Sequence, residues 1–437
     1  SPPPSANLAQ HLAFRLANRA SAPTLAAAAA AAAAALAALP AGCSDDIDGD
    51  PYPIAVDRAS GAFLVGLRAS GDIDERVAVV DVLSPLTVLD QSPALAPARR
   101  NVNLDLIAPR SPSDATRIVR ARWSATALDL HACDPNAACT VGAAGQPREV
   151  SAILGADVLR NNAITFEPAT STMYVLPDVA GDNEARGRAC DVVVPAPFYG
   201  GGTLRLGDTE VAFAGTRIAL GVCLSPDPDA PEPKDRGVDA ALVLSTGVGL
   251  TILGASRYET WAAATGAPPL DTLPPATALL PSGPVAGRLG RIDRLAIVGT
   301  STAPRGACRE VFAHHLMAER NCVPSDLDDC PCNDGATQCA VAAISEISPV
   351  NPIEVVVVAD DDPLLQSLRA ELRPEQPEID GILGVHALAT TEFDVDYPNN
   401  RLLLRCVGGG CVARPTFIDS GSRRTIDDCV DAAPRGP

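Results

Sequence analysis

Val150-Ser151-Ala152-Ile153-Leu154-Gly155-Ala156-Asp157-Val158-Leu159 lines up with Ile379-Asp380-Gly381-Ile382-Leu383-Gly384-Val385-His386-Ala387-Leu388, and this repetition decides how the rest of the chain is read. The likeness continues downstream, where Ile164-Thr165-Phe166-Glu167 matches Phe393-Asp394-Val395-Asp396 and Met173-Tyr174-Val175 matches Leu402-Leu403-Leu404. Each copy reads as an apolar strand ending at glycine, a short helical turn, an alternating strand, a polar turn and a returning strand. The polar turns are Thr170-Ser171 and Pro398-Asn399-Asn400.

A second matched pair lies upstream. Val79-Val80-Asp81-Val82-Leu83-Ser84-Pro85-Leu86-Thr87-Val88-Leu89 parallels Val243-Leu244-Ser245-Thr246-Gly247-Val248-Gly249-Leu250-Thr251-Ile252-Leu253. Asp81 and Ser245 are 164 residues apart, whereas Gly155 and Gly384 are 229 apart, so the second copy carries 65 more residues between its two segments. An insertion holding a cysteine cluster accounts for the excess.

These segments resemble the pepsin and retropepsin superfamily of aspartic proteases. In that family each lobe presents an apolar strand, then Asp-Thr/Ser-Gly, then an apolar Thr-containing stretch and, much later, an Ile-Leu-Gly strand packed beneath the catalytic loop. The resemblance runs from about Tyr52 to Cys406 and implies an all-β, bilobal fold of two related β lobes with few short helices. Helices are expected at Ser256 to Ala264, Cys308 to Arg320 and Pro363 to Leu372. Thr203 to Phe213 alternates and turns at Gly207-Asp208, so it is expected to open the second lobe as a hairpin. The expected division is a leader 1–42, an acidic tether 43–51, a first lobe 52–180, a crossover 181–199, a second lobe 200–414 with a cysteine-rich insertion 307–340, and a tail 415–437.

An aspartic protease needs two carboxylates sharing one proton, because like charges about 3 Å apart cannot both ionise. Here the first copy keeps Asp81 but has Val82-Leu83 after it, and the second keeps Thr246-Gly247 but has Ser245 in place of the acid. Asp81 and Ser245 are therefore read as degenerate dyad positions, framed by Ser84, Thr87, Gly155, Thr246, Gly247, Thr251 and Gly384. A serine, with a pKa far above neutrality, cannot do the work of the second carboxylate. Leu83 is expected to push the two loops apart, since glycine there permits close approach. Trp123 is the only aromatic in the interval where the family places a flap tyrosine, and it either takes that tyrosine's place or belongs to the core, the reading favoured by how few aromatics the chain has. Ile418-Asp419-Ser420-Gly421-Ser422 imitates an intact triplet but has no following Ile-Leu-Gly segment, so it reads as a turn in the tail.

Composition closes other routes. The 437 residues carry 34 basic and 53 acidic side chains, a net charge of −19, which excludes a phosphate-backbone binder. Hydrophobic content of 47% excludes global disorder, and 40 prolines with 34 glycines predict many turns. There is no GxSxG or HExxH motif, and Gly200-Gly201-Gly202 lacks a dinucleotide-binding pattern. Asp45-Asp46-Ile47-Asp48-Gly49-Asp50 is interrupted as a calcium loop by Pro51 and Pro53. No metal and no cofactor are expected.

Leu25 to Leu39 is nearly pure alanine and leucine, follows Arg15 and Arg19, and precedes Pro40-Ala41-Gly42-Cys43. It is shorter than a membrane span of about 20 residues and matches a secretory apolar region. Gly42-Cys43 resembles a bacterial lipoprotein signal, which implies acylation of Cys43 and a place in the cell envelope, as an outer-membrane lipoprotein or in the periplasm. Of 13 cysteines, Cys43 as anchor leaves Cys133, Cys139, Cys190, Cys223, Cys308, Cys322, Cys330, Cys332, Cys339, Cys406, Cys411 and Cys429 to pair. Cys133 with Cys139, and Cys406 with Cys411, are spaced to close small loops. The function these readings favour is a monomeric, noncatalytic module that binds peptide or protein between its lobes. The alternatives are an active aspartic endopeptidase with a nonstandard second acid, and a disulfide-rich structural protein of the envelope.

Overall fold

Short runs of Val, Ile and Leu, bounded by polar turns, form the central strands of both lobes in the computed structural model. The structure describes residues 50–57, 60–71, 75–90, 98–107, 118–128, 140–141, 148–177, 192–195, 197–206, 209–225, 237–299, 307–308, 345–349, 351–371, 378–407 and 409–414. In the first lobe Arg76–Val80 runs parallel to Ala152–Leu154, with Ala78 opposite Ala152 and Val80 opposite Leu154. In the second, Val238–Leu244 runs parallel to Gly381–Leu383, with Leu242 opposite Gly381 and Leu244 opposite Leu383. The registers are the same once the offsets of the sequence repeat are applied. These strands are buried on both faces, which is why they read as continuous apolar runs rather than alternating ones.

The duplication extends to the neighbouring strands. Ile153 faces Val88 in an antiparallel pairing, as Ile382 faces Ile252. Ile118–Leu128 then lies parallel to Val88–Asp90 as Ile353–Val358 lies parallel to Thr251–Gly254. Antiparallel strands Ala98–Ile107 and Gly283–Ile292 follow. A methyl group on Gly155 would run into the Leu86 carbonyl, and one on Gly384 into the Gly249 carbonyl, so both repeat glycines are needed where a strand passes beneath a loop.

A six-stranded sheet joins the lobes in the order Asp50–Pro53, Thr172–Pro177, Asn162–Glu167, Thr391–Asp396, Arg401–Cys406, Val192–Pro195. At its centre Ile164 faces Val395, Thr165 faces Asp394 and Phe166 faces Phe393. Thr165 and Asp394 are themselves repeat equivalents, so a local two-fold axis passes between them. Asp50 opposite Val175 matches Val192 opposite Leu404 at the two edges. Phe166 stacks on Phe393 with ring centres 4.9 Å apart, and Phe63 lies 5.6 Å from Phe166, which makes one core continuous through both lobes.

Several boundaries differ from the sequence reading. The first strand begins at Asp50, inside the stretch read as tether, and the crossover contributes Val192–Pro195 and Phe198–Tyr199. The extra residues of the second lobe fall in two places rather than one. The first is helix Ala255–Thr265 and strand Pro275–Leu280, standing between Thr251–Gly254 and Gly283–Ile292. The second lies between Gly283–Ile292 and Ile353–Val358, where Leu295–Gly299 and Ser345–Pro349 join the sheet. Cys223–Cys308 ties this second addition to strand Arg217–Leu224, and Cys406–Cys411 closes the small loop expected of it.

Helix Ala255–Thr265 ends at Gly266 in the left-handed conformation, and Pro363–Ala370 starts behind Asp362, whose carboxylate accepts from Leu364 N–H. Of the expected helix at Cys308 to Arg320, only Cys308 lies within the described residues. The hairpin Gly202–Leu206 with Thr209–Phe213 forms where the alternation placed it. Cys43, Cys133, Cys139, Cys190, Cys322, Cys330, Cys332, Cys339, Cys429 and the Asp419 triplet lie outside the described residues. Among the described residues no helix is long and apolar enough to cross a membrane.

Candidate cleft site

Two loops, each following a central strand, meet at the interface of the lobes. Asp81 N–H donates to Leu154 O at 3.0 Å and Ser245 N–H to Leu383 O at 3.0 Å. Ala156 N–H reaches Ser84 O at 2.8 Å, and its counterpart Val385 N–H reaches Val248 O at 3.0 Å. Below each loop a threonine hydroxyl accepts from the repeat glycine: Thr87 from Gly155 N–H at 3.0 Å, Thr251 from Gly384 N–H at 3.3 Å. Ser84, Thr87, Gly155, Thr251 and Gly384 are thus brought together as a framework. One difference lies just beyond it. Asp157 accepts from both the backbone and the hydroxyl of Thr87 at 2.7 Å, whereas its equivalent His386 carries an imidazole whose pKa is lowered by partial burial against the tendency of the Glu354 charge to raise it.

At the meeting point Ser245 Oγ donates to Asp81 Oδ1 at 2.9 Å. The same oxygen accepts from Leu83 N–H at 3.0 Å and Gly247 N–H at 3.2 Å, while Gly247 N–H is shared with Ser245 Oγ at 3.1 Å. Asp81 is 5% exposed and Ser245 1%. Burial pushes the Asp81 carboxyl above its ordinary value. The Leu83 backbone, the Ser245 hydroxyl, the Arg217 guanidinium and the Gly247 backbone each pull the other way, and desolvation prevails over them. Arg217 is itself held by Glu371 in a two-pronged ion pair at 2.7 and 2.9 Å.

Thr246 adds a second contact between the loops. Its hydroxyl donates to Val80 O at 2.7 Å and accepts from Val82 N–H at 3.1 Å, bracketing Asp81 from the opposite lobe. Its counterpart Val82 is fully buried and has no hydroxyl, so this bracket is made from one side only. Leu83 does not push the loops apart as its size suggested. Its side chain is buried in an apolar cluster with Ala219, Val243, Val248 and Ile252 of the second lobe, and the loops remain in hydrogen-bond contact.

The sequence reading missed Tyr397, which directly follows strand Thr391–Asp396 where the first copy has Pro168. Its ring stacks on Phe198 at 5.0 Å, and its buried hydroxyl has no hydrogen-bond partner among the described residues. Burial raises its pKa, and the nearby Asp81 charge adds to the effect. The mismatch with proline at one turn of an otherwise matched repeat was the available signal. Trp123 lies opposite Val102 in the hairpin Ala98–Ile107 with Ile118–Leu128.

Among the described residues no cluster of three or more His, Cys, Asp or Glu side chains is placed to hold a metal ion. Chemically, Asp81 can accept and release a proton, but its partner offers only a hydroxyl already committed to Asp81.

A scan against protein-family models finds no match, and a search of curated proteins finds none. Similar solved structures include the aspartic proteinase from Irpex lacteus, 12% identical over 82% of this chain and 98% of that one, with a TM-score of 0.38. Another is conglutin gamma, a basic 7S globulin from lupine seeds, 10% identical over 82% of this chain and 95% of that one, with a TM-score of 0.39. The bilobal all-β assignment rests on the duplicated strand registers and hydrogen bonds above rather than on either likeness.

Proposed function

We propose that this chain is an exported protein of aspartic-protease architecture that binds an extended peptide or protein segment in the cleft between its lobes and does not cleave it. The observation that carries this reading is the Ser245 hydroxyl on Asp81 Oδ1 at 2.9 Å, occupying the place of a second carboxylate. A proton-sharing pair requires two groups of similar acidity, and serine ionises far outside the working range of a carboxylate. The hydrogen-bonded framework around the site, matched in both lobes, supports a fold kept for binding rather than for chemistry. Export is supported by Cys223–Cys308 and Cys406–Cys411, since such bonds persist in oxidising compartments. Lipid attachment at Cys43 would hold the protein at the envelope.

The test is incubation of the purified protein with a peptide library across acidic and neutral pH, followed by mass spectrometry of free and captured peptides. Captured, intact peptides are the expected outcome. Cleavage that disappears in Asp81→Asn would overturn the reading. Mass spectrometry of the mature N-terminus checks the anchor, and an unacylated Cys43 would sink that part.

A further inference from the structure

Helix Ala255–Thr265 has two unlike faces. Tyr258 and Trp261 are buried, with the Tyr258 hydroxyl donating to Pro268 O at 3.0 Å and Trp261 Nε1–H to Ser225 Oγ at 2.8 Å. Ala255, Glu259, Ala262 and Ala263, spaced as one helical face, instead line a pocket of about 860 Å³. Ala286 and Arg288 of strand Gly283–Ile292 supply a second wall, and Pro269, Leu270 and Asp271 a third. The rest is made where two parallel strands end together: Gly254 lies beside Val358, and Ala255, Val358 and Ala359 line the pocket. A crevice outside the carboxyl ends of parallel strands is a recurrent ligand position, and this volume suits a small organic molecule. The helix belongs to chain that the first lobe lacks between its equivalent strands, so the repeat does not account for the pocket.

The polar groups around it select the charge of a guest. The helix N-terminus, which would otherwise attract an anion, is already taken, since Ser256 donates its N–H and hydroxyl to Asp360 at 3.0 and 3.1 Å. Arg288 is turned to Leu273 O at 2.7 Å. Glu259 and Asp271, by contrast, have no hydrogen bond or ion pair among the described residues. An alanine-walled apolar space with two uncommitted carboxylates favours a cation over an anion. We propose that this pocket is a second binding site, separate from the cleft, for a small organic amine whose apolar body lies on the alanines and whose cationic nitrogen meets Glu259 and Asp271. The proposal does not rest on peptide binding.

The test is calorimetric titration of the full chain with phenylbutylamine, and with phenylbutanol and phenylpentanoate as neutral and anionic counterparts of similar shape. The amine is expected to fill one saturable site at least about 10-fold more tightly than the alcohol, and the carboxylate to bind no more tightly than the alcohol. Glu259→Gln combined with Asp271→Asn should remove the advantage of the amine and leave the alcohol unchanged. Ala263→Trp and Ala286→Trp, both at exposed positions, should fill the space and abolish binding while the thermal midpoint stays the same. No saturable binding of the amine, carboxylate binding as tight as the amine's, or amine binding that survives the loss of both acids or either tryptophan would overturn the proposal. Loss of amine binding in Asp81→Asn would also overturn it, by placing the amine in the cleft. Because the probes are not peptides, a protein that cleaved or ignored peptides would leave these outcomes unchanged.

Discussion

Among the described residues the first lobe's sheet closes and the second lobe's does not. Strand Phe63–Ala69 pairs with Arg76–Val80 on one side and with Ala98–Ile107 on the other, Leu67 opposite Leu106, so the first-lobe sheet returns on itself. In the second lobe the equivalent strand Arg217–Leu224 takes Leu295–Gly299 instead, which takes Ser345–Pro349 and then Cys411–Arg414. Pro275–Leu280 extends the same sheet at its far end. A closed sheet has no unpaired edge to protect, whereas an open one must cover or tie its ends. The second lobe does so with added chain and the Cys223–Cys308 bond, while the strand registers and backbone hydrogen bonds at the interface of the lobes match in both. The difference shows that the backbone framework of the duplication is held where the lobes touch and relaxed at the far edges of the sheets.

The largest effect is expected where the lobes are most alike. Gly155→Ala and Gly384→Ala should each cost about 3 kcal/mol or more in urea unfolding, because a backbone carbonyl rather than a flexible side chain is in the way. Unequal costs would break the equivalence of the two crossings. Next, joint replacement of Cys223 and Cys308 by serine should cost about 2–4 kcal/mol. Hydrogen exchange should then show lost protection in Leu295–Gly299 and Ser345–Pro349 and retained protection in the first-lobe strands. Loss throughout would mean that the closed lobe depends on the open one.

Thr246→Val should cost about 2 kcal/mol, because it removes two hydrogen bonds and leaves the buried Val82 N–H without a partner. The opposite change, Val82→Thr, should gain at most about 1 kcal/mol, and a large loss would show that the bracket cannot be made two-sided. Smallest of all is a pH effect. A carboxyl whose folded pKa is raised stabilises the fold fully below its unfolded value near 3.8 and loses that contribution as pH rises through the folded value. Asp81→Asn should therefore gain relative to the unaltered protein as pH rises from about 3 toward neutrality, measured by thermal midpoints. A constant difference across that range would show that burial does not govern this carboxyl.

Much of the architecture was legible because duplication writes the same constraint twice. One Ile-Leu-Gly says little, but Gly155 and Gly384 at matched distances from Thr87 and Thr251 fix a strand beneath a loop in each lobe. The positions of Asp81 and Ser245 were legible for the same reason. What could not be read was anything the repeat does not contain: Tyr397 against Phe198, the Arg217–Glu371 pair, and the division of the extra chain between two places. Each depends on contacts between segments with no counterpart. Leu83 was misjudged from size alone, since its outcome depends on an apolar cluster contributed by the other lobe.

The two-fold axis between Thr165 and Asp394 has one more consequence. Because Asp50–Pro53 and Val192–Pro195 occupy equivalent edges of the joining sheet, each half brings three complete strands to it, and no strand is shared. Covalent continuity between the halves is then a matter of effective concentration rather than of structure. A chain cut between Pro177 and Val192 should behave as two complementing fragments that find each other across Ile164–Val395 and Phe166–Phe393, turning the joining sheet into the interface of a heterodimer.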